Sequence, residues 1–76
     1  MKSLRTRTHR MLCATLVEAR IEAGISQQEL ARRLKRSQSF IAKIEVGERR
    51  IDVVEFIEIA RALGREPVDL LAHALK

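Results

Sequence analysis

The sequence predicts an all-α fold: a compact bundle of five short helices. Three observations carry this. Apolar residues recur at helical spacing along the chain. Helix start and stop residues fall between those periodic stretches, while three glycines and one proline leave little of the punctuation that strands need. The 76 residues, 46% apolar and 3% aromatic, supply Leu, Ile, Val and Ala for one small core. A second core is excluded, because a chain this short buries only about 60% of the surface it exposes when unfolded. A single domain over 1–76 is therefore expected, with 1–7 as a loose basic arm and no linker, repeat or low-complexity segment.

Taken in order, the first helix is expected from Thr8 or Arg10 to Ala23, with Leu12, Leu16, Ala19 and Ala23 inward and Gly24 at its stop. Ser26 opens the second. Its hydroxyl can accept from the Glu29 N–H while the Glu29 carboxylate reaches back, the reciprocal pairing of a capping box. Leu30, Ala31 and Leu34 form its inner face, and it ends near Lys35 and Arg36. Ser37 caps a third helix running to Glu45, which Gly47 closes. The fourth spans Ile51 to Leu63, with Phe56, Ile59, Ala60 and Leu63 inward and Gly64 beyond its end. Pro67 suits the first turn of a fifth, where no N–H donor is needed, and Leu70, Leu71, Ala74 and Leu75 give it an apolar face.

Charge is unevenly spread. Residues 1–50 hold 12 Lys/Arg and 5 Asp/Glu (+7), and residues 51–76 hold 3 and 5 (−2). A positive face backed by a neutral or acidic one suits a polyanion partner, although a solvated basic face is the commoner explanation of charge alone. The lone Cys13 lies in an apolar helical run, where a free thiol acts as a small hydrophobe in a reducing, cytoplasmic setting. No run is long enough to span a membrane, and the basic N-terminus lacks the apolar stretch of a signal peptide.

The third helix carries the chemistry. At about 100° per residue, Gln38, Ser39, Ala42 and Lys43 share one side, and Ile41 and Ile44 face away. Anchored by those isoleucines on Leu30 and Leu34, it presents Gln38, Ser39 and Lys43 outward, with small Ala42 allowing close approach to a major groove. Gln can pair bidentately with adenine, Lys can donate to guanine and Ser is adaptable. The free backbone N–H groups near Gln27 and Ser37 suit phosphates. One helix braces and the next reads base edges.

The combination SQQELARRLKRSQSFIAKIEVGERR followed by FIEIARALGREPVDLL resembles the lambda-repressor-like, or Xre, helix-turn-helix family over roughly Leu16 to Leu75. The resemblance implies a five-helix domain that binds double-stranded DNA, commonly as a homodimer on a short palindromic operator, and regulates transcription. It places Gln27, Gln38, Ser39 and Lys43 on DNA-facing positions and pairs Arg20 with Glu45 between the first and third helices. It also lays the loop after Gly47 along the DNA backbone, making Arg49 and Arg50 phosphate contacts, with Ser37 and Arg36 beside them. The sequence departs from the family at Lys35, where the turn usually has glycine, at Val46 and at Glu66. A left-handed backbone costs a non-glycine residue on the order of 1 kcal/mol, and Lys35 is expected to accept that cost and add a basic side chain near DNA. Phe40 stands between edge-of-core packing and contact with a thymine methyl or sugar. For Lys2, Arg5, Arg7 and Arg10, disorder or helix extension ranks ahead of entry into a neighbouring groove.

Neither His9, His73 and Cys13 nor any other set has the spacing of a metal site, no cofactor motif is present, and no nucleophile or carboxylate constellation suggests an enzyme. Ile51, Val54, Leu70, Ala74 and Leu75 offer more apolar surface than one small core covers and are expected to form a dimer interface. With the chain ending just after the fifth helix, no ligand-sensing module is expected, and control falls to protein concentration. The alternative is an antitoxin-like or other interaction module whose C-terminal apolar strip binds a second protein.

Overall fold

Five helices are the regular structure of the computed structural model over the described residues, 6–76. They are α1 (Arg7–Glu22), α2 (Gln27–Leu34), α3 (Gln38–Glu45), α4 (Val53–Ala62) and α5 (Pro67–Ala74). Their start sites follow from side chains that satisfy first-turn N–H groups. Thr6 accepts from the His9 N–H at 3.1 Å, so α1 begins at Arg7, earlier than Thr8 or Arg10. Arg7 and Arg10 therefore belong to the helix, and Lys2 and Arg5 of the expected arm lie outside the described residues.

Ser26 caps α2 by accepting from the Glu29 N–H at 3.0 Å. The reciprocal half of the expected box is replaced: the Glu29 carboxylate takes Arg32 at 2.9 and 2.7 Å and Arg33 at 3.0 Å. Charge-assisted bonds one turn away outcompete a neutral N–H. The complete box occurs instead at α4, where Asp52 accepts from the Glu55 N–H at 2.7 Å and Glu55 from the Asp52 N–H at 3.1 Å. With Asp52 extended as the cap, α4 starts at Val53, two residues beyond the expected Ile51. Ser37 caps α3 as expected, and Glu66 contributes no side-chain cap to α5, where Pro67 fills the first turn.

All four joints share one stop. A left-handed residue follows each of α1 to α4: Gly24 (φ 75°), Lys35 (φ 56°), Gly47 (φ 84°) and Gly64 (φ 74°). The next N–H then closes back on a helix carbonyl five residues earlier, Arg36 on Ala31 at 2.9 Å being the α2 example. Lys35 adopts the strained conformation expected of it.

The core gathers Leu16 and Ala19 of α1, Leu30 and Ala31 of α2, Ile41 and Ile44 of α3, Leu70 of α5, and Phe56, Ile59, Ala60 and Leu63 from α4 and its cap. α2 packs on α3 and α4, α1 on α3 and α5, and α4 on α5. Ala23, expected inward, is exposed, because the helix has ended before it. The expected dimer strip also divides. Leu70 (1% exposed) and Ala74 (4%) sit one turn apart on the inner face of α5, and Ile51 is half-buried against the core. Leu70 and Ala74 offer no free surface, and Ile51 only part of its own. Val54 and Leu75 are exposed, and Val53, Val68 and Leu71 are exposed as well.

Replacing Lys35 with glycine removes the left-handed strain and raises stability by about 0.5–1 kcal/mol, the added freedom of the unfolded chain offsetting part of the gain. The urea midpoint of Lys35→Gly is expected above that of the parent chain. An equal or lower midpoint contradicts this account of the turn.

Candidate nucleic-acid interface

α3 is oriented by an ion pair that crosses the molecule. Arg20, on the last turn of α1, donates from Nε to Glu45 Oε2 at 2.6 Å and from Nη2 to Oε1 at 3.1 Å, while Nη1 donates to the Ile25 carbonyl at 2.8 Å. The side chains are 15% and 7% exposed, so the bidentate pair works where water screens it little. Gln27 joins from the start of α2: its Nε2 donates to Glu45 Oε1 at 2.8 Å, and its Oε1 receives a long contact from Gln38 Nε2 at 3.5 Å. Gln27, expected at a phosphate, thus has its amide N–H engaged within the protein and lies beside Gln38.

Ile41 and Ile44 are buried, and Gln38, Ser39 and Lys43 are exposed on the opposite side of α3, with Ala42 half-buried. The structure brings together the three side chains singled out for base contact. Ser37, Arg36 and Lys35 are exposed just before them.

The basic residues around α3 are less independent than their sequence positions imply. Arg49 donates from Nη1 to Glu55 Oε1 at 2.9 Å and from Nη2 to Oε2 at 3.0 Å, and Arg36 approaches Oε2 at 3.5 Å. Their guanidinium carbons stand 3.8 Å (Arg36) and 4.6 Å (Arg49) from the centre of the Phe40 ring. Phe40 is half-buried against the core and stacked with two cations. Arg36, Ser37, Ser39, Phe40, Lys43, Glu48 and Arg49 line an open depression of about 520 Å³. Arg50 is exposed, and among the described residues its side chain enters no ion pair.

Sequence reasoning missed Glu55. The signal was present: Asp52-x-x-Glu55 is a helix-start box, and it sets a carboxylate beside the arginines of the preceding loop. Hydrogen bonds from Arg49 hold the Glu55 carboxyl at about 2, against partial burial that raises it, with the Asp52 N–H and the charges of Arg49 and Arg36 also lowering it. Away from this face, Cys13 is buried with its Sγ 3.6 Å from His9 Nε2, and burial pushes the thiol up. Among the described residues, no group of three or more His, Cys, Asp or Glu is placed to hold a metal ion, and no helix is long and apolar enough to cross a membrane.

Arg20→Ala strands a largely buried carboxylate and is expected to destabilise the fold by about 1–3 kcal/mol. An unchanged melting temperature refutes the role given to the pair. Glu55 predicts an acid effect of defined sign. Its folded value, about 2, lies below the ordinary 4.5, so its ionised form stabilises the fold fully above pH 4.5, and that contribution fades as pH falls toward 2. Denaturant midpoints of the parent chain and Glu55→Gln are expected to converge over this interval; a constant difference counts against it.

Comparison with known proteins agrees with this architecture. A helix-turn-helix family model matches residues 16–70. An XRE-family-like protein from Pseudomonas syringae pv. tomato str. DC3000 is 44% identical, with a TM-score of 0.88, over 97% of this chain and 90% of that one. Two structures of the clp gene regulator ClgR from Corynebacterium glutamicum are 25% identical over 90% of this chain, with TM-scores of 0.82 and 0.83, and 87% and 72% of those chains are covered. None of the curated proteins compared matches. With the family model spanning most of the chain and the Pseudomonas protein alike in sequence and fold, the chain belongs to the Xre, or lambda-repressor-like, family of helix-turn-helix DNA-binding regulators.

Proposed function

We propose that the protein is a homodimeric, sequence-specific transcription regulator that places α3 in the major groove of a short palindromic operator. The observation that carries this is the outer face of α3: Gln38, Ser39 and Lys43 stand exposed on a helix whose other face is buried and whose end is tied to α1 through Glu45 and Arg20. Gln38 and Lys43 supply the hydrogen-bond patterns of adenine and guanine edges, and Ser39 adapts to its neighbours. Arg50, Arg36, Lys35 and the N-terminal turn of α3 at Ser37 serve as phosphate contacts, which fix register without reading sequence. Such a role places the protein in the cytoplasm with the DNA.

The dimer is assigned to the exposed side of α4 and α5. Val54 and Leu75 remain from the expected strip, and Val53, Val68 and Leu71 extend it. Between the two helices lies an apolar depression of about 270 Å³. A symmetric contact there covers surface that one chain leaves open. Two reading helices then lie one DNA turn apart, about 34 Å.

Base reading and backbone holding separate experimentally once an operator has been selected from random oligonucleotides. Gln38→Ala is expected to lower operator preference by about 1–3 kcal/mol per lost bidentate contact with little change in salt dependence. Arg50→Ala is expected to weaken operator and scrambled duplex alike and to reduce the slope of log K against log salt by about 0.9 per contact. Titrations at several salt concentrations, with two chains bound per operator, check both. An intact operator preference in Gln38→Ala overturns the assigned reading face.

A further inference from the structure

We propose that Glu55 is a positioning residue that shapes Arg36 and Arg49 into a clamp for one DNA backbone phosphate beside α3. The inference rests on the DNA-binding reading above and adds a residue to it that makes no DNA contact of its own.

The donor geometry of Arg49 is the starting point. Nη1 gives its hydrogens to Glu55 Oε1 at 2.9 Å and to the Arg50 carbonyl at 2.8 Å, and Nη2 gives one to Glu55 Oε2 at 3.0 Å. What remains is Nε–H and the second Nη2–H, which lie parallel along one edge of the guanidinium. That edge matches two oxygens of a phosphate. Arg20 shows the same edge in use, since its Nε and Nη2 are the atoms that hold Glu45. Arg36 commits only Nη2, at 3.5 Å, and keeps its other donors.

Glu55 can hold this arrangement because it is held itself. Its Oε1 accepts from the Asp52 N–H at 3.1 Å, and its side chain is 13% exposed against 40% for Arg36 and 37% for Arg49. Both guanidinium groups also rest on the Phe40 ring, at 3.8 Å (Arg36) and 4.6 Å (Arg49) from its centre, a contact that further restricts them. Two long side chains are thus ordered before a partner arrives, which removes part of the entropy lost on binding. The open depression that Arg36, Arg49 and Lys43 border takes the phosphate. Simple charge counting gives the opposite expectation, that an acid so near the DNA face weakens binding.

The two views are separated by Glu55→Gln, which adds one unit of positive charge yet keeps an oxygen for the Asp52 N–H, as glutamine also serves in a capping box. Parent and variant chains are titrated against a fluorescent random-sequence duplex over a salt series, with melting curves recorded alongside. The clamp predicts that Glu55→Gln binds about ten-fold more weakly and that the slope of log K against log salt falls by about 0.9 per lost phosphate. Arg49→Lys, which keeps the charge and loses the two-donor edge, is expected to weaken binding similarly. Combining Glu55→Gln with Arg49→Lys is expected to add little to either loss. Equal or tighter binding by Glu55→Gln, or full affinity in Arg49→Lys, overturns the clamp while leaving the DNA-binding reading intact. Failure of the parent chain to bind any duplex overturns both.

Discussion

The bidentate contact between Arg20 and Glu45 is the constraint on which the orientation of α3 depends. Ile41 and Ile44 attach that helix to the core, but apolar packing is non-directional and tolerates small rotations. A carboxylate gripped at two atoms, by an arginine that also holds the Ile25 carbonyl, allows far fewer. Gln27 extends the network to the start of α2, so α1, the first joint, α2 and the end of α3 form one hydrogen-bonded unit. The outward side chains inherit their direction from groups that never leave the protein.

A second carboxylate works in parallel beside the start of α3. Glu45 fixes backbone orientation through one arginine, and Glu55 gathers two arginines around Phe40. The formal excess of positive charge in residues 1–50 therefore overstates how many cations are free. Arg32 and Arg33 share Glu29. Much of the basic surface consists of arginines whose positions are set by an acid, in contrast to exposed Lys35, Lys43 and Arg50.

The helices were legible because periodicity and capping are local signals: Ser26, Ser37, Gly47, Gly64 and Pro67 each mark the boundary they were expected to mark. The outer face of α3 was legible for the same reason, since Ile41 and Ile44 define an inner face and leave Gln38, Ser39 and Lys43 exposed opposite. Competition between partners was not. Glu29 had a backbone N–H and two arginines to choose from, and Arg49 had solvent, DNA or Glu55; spacing does not rank such choices. The dimer strip failed at Leu70 and Ala74 because an apolar run does not say which of its residues a neighbouring helix will cover. Arg20 and Glu45 came from family resemblance alone, as no local pattern links residues 25 positions apart.

Among the four left-handed residues that end α1 to α4, only the one between α2 and α3 carries a side chain, and that side chain is a lysine. In the proposed complex Lys35 touches backbone rather than bases, so it acts equally on operator and non-operator DNA. Sequence-independent affinity governs how long a regulator slides along a chromosome before letting go, and hence how quickly it searches for its site. In that complex, substitution at this joint, from lysine to asparagine or glycine, changes the search without altering which sequence is sought. The proposed complex thus separates scanning speed from target identity at different positions of one short turn and helix.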